Sequence, residues 1–87
     1  MARYMLANEL FKAGDFAEAV SELEVYLEQG NDEGAGYRLM SEALLQLGDL
    51  ERAISALRQG AAAARAHDHA GMAEELLEKL TSLGKPQ

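Results

Sequence analysis

The 87-residue chain contains no cysteine. Disulfide frameworks and thiolate metal sites are therefore excluded, and redox chemistry leaves the compartment unmarked. Long apolar runs are missing too. The opening MARYMLANELFKAGD meets Arg3, Asn8, Glu9 and Lys12 before any such run could form, which is the pattern of neither a signal peptide nor a membrane span. A cytoplasmic location is the resulting expectation, with no membrane partner. Positive charge is scarce: eight Lys and Arg face fifteen Asp and Glu, for a net charge of −7. The basic residues are scattered singly from Arg3 to Lys85. Nucleic-acid binding needs clustered cations to neutralise phosphates, so no nucleic-acid partner is expected.

The residues that are present suit a folded chain. Apolar residues at 48% and charged residues at 26% have the balance of a globular domain rather than a disordered one. The length allows one small domain, burying roughly 60–65% of the surface that the unfolded chain exposes.

Residues 10–23 read LFKAGDFAEAVSEL and residues 44–57 read LLQLGDLERAISAL, 34 positions apart. Aligning Gly14 with Gly48 pairs Leu10 with Leu44, Asp15 with Asp49, Ala19 with Ala53, Ser21 with Ser55 and Leu23 with Leu57. A period of this size is the mark of stacked supersecondary units. Each unit reads as two helices. Leu6, Leu10 and Ala13, and again Met40, Leu44 and Leu47, recur at i, i+4, i+7 and predict the apolar stripe of each first helix. Gly-Asp then predicts a turn, with glycine ending one helix in the left-handed conformation and aspartate capping the next. Phe16, Ala19, Val20, Leu23 and Leu27 predict the buried face of the first unit's second helix. Leu50, Ala53, Ile54, Leu57 and Ala61 do the same in the second unit. Short connections imply antiparallel pairs.

After the second unit, the alanine run carries the fourth helix to about Ala66. His67 or Asp68 breaks it, with Asp68 as the candidate N-cap of a further helix. Met72, Leu76, Leu77, Leu80 and Leu83 define that fifth helix, stopped by Gly84 and Pro86, whose other side carries Glu74, Glu75, Glu78 and Lys79. A charged outer face suits a helix that closes the open end of a stack. Met1 and the polar GKPQ tail lead to the expectation of a stand-alone chain rather than a piece of a longer one.

A 34-residue helix–turn–helix with Gly-Asp at its turn, alanine five residues after the glycine, and small residues at Ala7, Ser41, Ala19 and Ala53 resembles the tetratricopeptide repeat. The resemblance implies an all-α, right-handed α-solenoid: repeat 1 over 3–36, repeat 2 over 37–70 and a capping helix over 70–84, forming one domain over 1–87. Three features depart from the family pattern. Arg3 replaces its early aromatic, which is Tyr37 in the second unit. Tyr26 stands where the second unit has the small Gly60. No proline closes the first unit, whose turn EQGNDEG uses glycine and Asx residues instead.

No catalytic constellation emerges, and neither enzyme activity nor a cofactor is expected. Glu74 and Glu75 are adjacent, so a helix points them about 100° apart. Gly30, Gly34 and Gly36 share their turn with Asp32 and Glu33, which would repel a phosphate. The triplet His67-Asp68-His69 invites a metal, yet histidines two apart on a helix diverge by about 200°. A junction between helices explains it with less, and no metal is expected. Glu18, Glu22, Glu24 and Glu28 read as a solvated face, with a landing site for a basic partner as the alternative.

On the first helix, Tyr4, Asn8 and Phe11 form a second stripe bordered by Lys12, matched in the next unit by Arg38, Glu42, Leu45 and Gln46. In the family that these repeats resemble, the first helices line a concave groove that holds a peptide or helix. The resemblance thus implies a protein-binding adaptor with these eight residues as its strip. Members that grip acidic chaperone tails use a basic clamp. Tyr4 stands at one lysine position of that clamp, so such a partner is not expected. Two alternatives stay open: a homodimer formed through the same apolar face, and packing of Phe11 inside its own chain.

Overall fold

The computed structural model describes residues 2–84. It contains five helices: α1 (Arg3–Lys12), α2 (Phe16–Glu28), α3 (Ala35–Gln46), α4 (Leu50–Ala66) and α5 (Ala70–Gly84). There is no strand among the described residues. Each helix packs on the next in chain order, as the repeat pattern requires. Pro86, expected to stop α5, lies outside the described residues.

The two Gly-Asp turns are built alike. Gly14 and Gly48 have φ of +84° and +79°, a region that only glycine enters without a steric penalty. The chain then folds back onto the helix it has left. Asp15 N donates to Leu10 O at 2.8 Å and Asp49 N to Leu44 O at 2.9 Å, satisfying carbonyls that each helix end would leave open. The caps themselves differ. Asp49 accepts from Arg52 N at 3.2 Å, whereas the Asp15 side chain makes no capping bond.

The α2–α3 turn is organised by one buried carboxylate, Asp32. It accepts backbone N–H bonds from Gly34 at 2.9 Å, from Gly36 at 2.9 and 3.0 Å and from Tyr37 at 3.4 Å. A carboxylate here satisfies free N–H groups at the start of α3 and complements the positive end of the helix dipole. The Tyr26 hydroxyl donates to the same carboxylate at 3.0 Å. This accounts for tyrosine in the place where the second repeat has Gly60. Gly36 is equally constrained, since a Cβ there would lie 2.8 Å from Tyr26 Cε2 and 2.9 Å from Asp32 Oδ1.

Burial, with the hydrogen bond to Asp32 and its charge in support, raises the Tyr26 phenol from 10.0 to about 12. The folded chain therefore holds this proton between pH 10.0 and about 12, where the unfolded chain releases it. Stability contributed by the neutral phenol is complete below pH 10.0 and is lost as the pH rises toward about 12. Denaturant titrations at about pH 9 and about pH 11.5 should show the fall, and Tyr26→Phe should remove part of it. An unchanged pH response in that variant would overturn the assignment.

The core runs along the stack. Ala7, Leu23 and Leu39 form one buried cluster, Val20, Ala43, Leu44, Ala53 and Ala56 a second, and Leu57, Ala61 and Leu76 a third under α5. The predicted inner faces of α2 and α4 hold except at Leu50, which is 46% exposed. In α1 the expected stripe is the wrong one. Leu6 and Ala13 are exposed, Leu10 is half-buried, and Ala7 is the only fully buried residue of the helix. Leu47, the counterpart of Ala13, is also exposed, at 49%. The inward stripe of α1 is Tyr4, Ala7 and Phe11, all packed in the first cluster.

The α4–α5 turn also departs from expectation. Asp68 does not cap α5; it takes a left-handed conformation, φ +61°, and His69 precedes the helix. With the histidines in a turn rather than on a helix, both reach Glu33 of the α2–α3 turn. His69 Nε2 lies 2.5 Å and His67 Nδ1 3.9 Å from its two carboxylate oxygens. The His69 hydrogen bond, with the His67 charge, holds the Glu33 carboxyl below its ordinary value. The triplet thus ties two turns together. Among the described residues, no group of three His, Cys, Asp or Glu side chains is arranged to hold a metal ion.

Candidate binding cleft between the first helices

The sequence strip divides in two. Tyr4 and Asn8 of α1 and Arg38 and Glu42 of α3 line one cleft of ≈ 310 Å³, with Ala35, Leu39 and Glu75 completing it. Tyr4 is held by its ring, tilted at 52° against Tyr26 with centroids 5.7 Å apart. The first turn of α1 is tied to α2 by Arg3, whose Nη1 lies 2.7 Å from Glu22 Oε1.

Phe11, Lys12, Leu45 and Gln46 are not part of this cleft. Phe11 is half-buried and packs on two core clusters at once. Its ring meets Phe16 edge-on at 5.1 Å and 69°. Leu45 packs on the cluster around Val20. Lys12 is exposed and pairs with Glu9 of its own helix at 3.7 Å, and Gln46 is exposed at the end of α3. The aromatic at position 11 is a packing residue because the close approach permitted by Ala7 brings this stripe inward.

The sequence pattern puts Glu75 and Lys79 on the outer face of the fifth helix. The structure brings both to α3. Arg38 Nη1 lies 3.2 Å from Glu75 Oε2, and Lys79 Nζ lies 3.6 Å from Glu42 Oε1. The sequence holds the complementary spacing but not the pairing itself: Arg38 and Glu42 are spaced i, i+4 in the order plus–minus, and Glu75 and Lys79 are spaced i, i+4 in the order minus–plus. Two helices aligned side by side match these charges rung for rung. The pairs are partly exposed, so they add little stability. Their effect is to set a charge pattern along one wall of the cleft.

Neither phosphate chemistry nor a nucleophile is suggested by this arrangement. The anion site that a helix N-terminus can offer is filled, at α3, by Asp32 itself. Among the described residues, no helix is long and apolar enough to cross a membrane.

Comparison with known proteins agrees with the helical pairing. The sequence model of the family described as Tetratricopeptide repeat matches residues 10–77. No curated protein and no solved structure matches the chain. The match covers most of the chain and spans both Gly-Asp turns and the first half of α5. The protein belongs to the tetratricopeptide repeat family.

Proposed function

We propose that this chain is a protein-interaction adaptor that binds a peptide or helix of a partner in the cleft between α1, α3 and α5. Tetratricopeptide repeats generally mediate protein–protein contacts, and members of the family are typically non-catalytic scaffolds. The observation that carries the reading is the meeting of Tyr4, Asn8, Arg38 and Glu42, from two repeats, around the apolar side chain of Leu39. The wall is mainly polar and charged, so it orients a partner through hydrogen bonds and ion pairs, with the Tyr4 ring as its aromatic contact. The Arg38–Glu75 and Glu42–Lys79 pairs make the wall charge-balanced, so a peptide with alternating charges fits it better than a uniformly acidic or basic one.

Selection from a displayed peptide library, followed by amide-shift mapping on the labelled protein, tests this. The shifts should centre on Asn8, Arg38 and Glu42. Asn8→Ala together with Arg38→Ala should weaken a selected peptide at least about tenfold, roughly 1.4 kcal/mol, with the melting temperature nearly unchanged. Binders that map elsewhere, or that ignore the double substitution, would remove the cleft from consideration.

Self-association is the second reading. It draws on Met5 and Leu6, which are 60% and 37% exposed on the outer side of α1, a different surface from the cleft. Light scattering on the eluting protein separates the two, because an adaptor of the proposed kind is a monomer at micromolar concentration.

A further inference from the structure

A second cleft lies on another side of the molecule, between α2 and α4. These two helices scarcely touch; the gap between them, ≈ 380 Å³, has Tyr37, Met40 and Leu44 of α3 at its base. Small residues keep it open. Ala56 of α4 is buried against the cluster around Val20 and Leu44, and Ser55 beside it is exposed. The volume falls within the range of small-ligand and side-chain pockets.

The charge around it has one sign to spare. Glu24 and Glu28 of α2 and Arg52 and Gln59 of α4 line it above the apolar base. Arg52 is already matched twice, by Glu24 Oε1 at 3.4 Å and Asp49 Oδ2 at 3.8 Å. Gln59 is turned back onto Ser55, donating to its hydroxyl at 3.1 Å. Among the described residues Glu28 has no cation beside it, and it stands one helical turn from Glu24, a like-charge spacing that a helix tolerates only with a small penalty. A cation brought by a ligand relieves that repulsion. The net charge of −7 further favours approach by a basic chain and opposes an acidic one.

From these features we infer that the α2–α4 cleft is a docking site for a basic peptide segment, one aromatic or aliphatic side chain entering over Tyr37 and Met40 while a flanking Lys or Arg meets Glu24 and Glu28. The site is independent of the cleft between the first helices and shares no lining residue with it. One partner can therefore occupy each.

The test uses the full chain, isotopically labelled, titrated with the blocked tripeptide Ac-Lys-Phe-Lys-amide and with Ac-Glu-Phe-Glu-amide as its charge-reversed counterpart. The basic peptide should give saturable amide shifts at Leu27, Ser55 and Gln59, with Kd on the order of millimolar for so small a probe. The affinity should drop several-fold when the salt is raised from about 0.05 to about 0.5 M. Glu28→Lys, an exposed change that leaves the fold alone, should weaken binding at least about fivefold, the scale of a lost charge-assisted contact. Ser55→Leu, at an exposed position on the cleft wall, narrows the opening without touching the core and should abolish it. Equal shifts with the acidic peptide, undiminished binding to Glu28→Lys, or shifts centred on Asn8 and Glu42 would each overturn the assignment.

Discussion

Truncation of the chain after Ala66 should leave a protein that no longer unfolds cooperatively and that aggregates at micromolar concentration. The reason lies in the third core cluster. Leu57 and Ala61 of α4 are 0% and 4% exposed, in a cluster whose other members all come from α5. Leu76 enters their midst, with Met72, Leu77, Leu80 and Leu83 packed around it. Burying a leucine-sized side chain contributes about 1.5–3 kcal/mol. One such residue fully buried and four partly buried therefore supply on the order of 5 kcal/mol or more. That is comparable with the whole stability of a small domain, about 5–15 kcal/mol. Gly60 strengthens the dependence, because its missing side chain lets α4 approach α3 and α5 closely. A Cβ there would lie 2.7 Å from Tyr37 Cβ and 3.1 Å from Leu76 Cδ1. Without α5 that contact surface faces water. Circular dichroism with denaturant titration, alongside light scattering, reads the result. A truncated chain that stayed monomeric with a sharp transition would show that α5 is an appendage rather than a closing element.

The second large effect concerns Phe11, where two readings of one residue predict opposite outcomes. As a peptide anchor on an open surface, Phe11 could be removed with little loss of stability. As a packing residue it could not. The structure puts its ring between the cluster of Ala7, Leu23 and Leu39 and the cluster of Val20 and Leu44, edge-on to Phe16. A fully buried phenylalanine replaced by alanine costs about 3–5 kcal/mol. Because Phe11 is half-buried, Phe11→Ala should cost about 2–3 kcal/mol. For a domain of this size that lowers the melting temperature by roughly 10–20 °C. Phe11→Leu keeps most of the volume and should recover more than half of the loss. A melting temperature within a few degrees of the parent would return Phe11 to the surface and make it a binding candidate again.

A feature was legible in the sequence wherever one helix sufficed to decide it. The positions of all five helices follow from local chemistry: apolar spacing, the alanine run through Ala66, and glycine at Gly14 and Gly48 where φ turns positive. The buried faces of α2 and α4 followed too, since each has a single apolar stripe. In α1 two stripes compete. Leu6–Leu10–Ala13 is the more aliphatic on paper, but Tyr4–Ala7–Phe11 is the one with a small residue at the crossing, and the helix as a whole is only weakly amphipathic. Which stripe turns inward is settled by its neighbours. The backbone approach at Ala7 favours the second, whereas in the next repeat Met40, the counterpart of Leu6, packs beside Val20 of the preceding helix.

The same division runs through the polar groups. Sequence alone determined that Asp32 and Glu33 occupy a turn, that the histidine triplet occupies another, and that Glu75 and Lys79 lie one helical turn apart. Only the tertiary structure decided that Asp32 would hold the Tyr26 hydroxyl and the start of α3, that both histidines would reach Glu33, and that Glu75 and Lys79 would face Arg38 and Glu42. Helix propensity and turn chemistry act over four or five residues, so they can be read from one sequence window. A hydrogen bond or ion pair between residues 36 or 37 positions apart, as for His69 with Glu33 and Arg38 with Glu75, depends on how far each helix is rotated and slid against the next. That geometry is set by side-chain volumes at the crossings, above all at Ala7, Gly36 and Gly60, where a missing methyl or side chain lets two backbones meet.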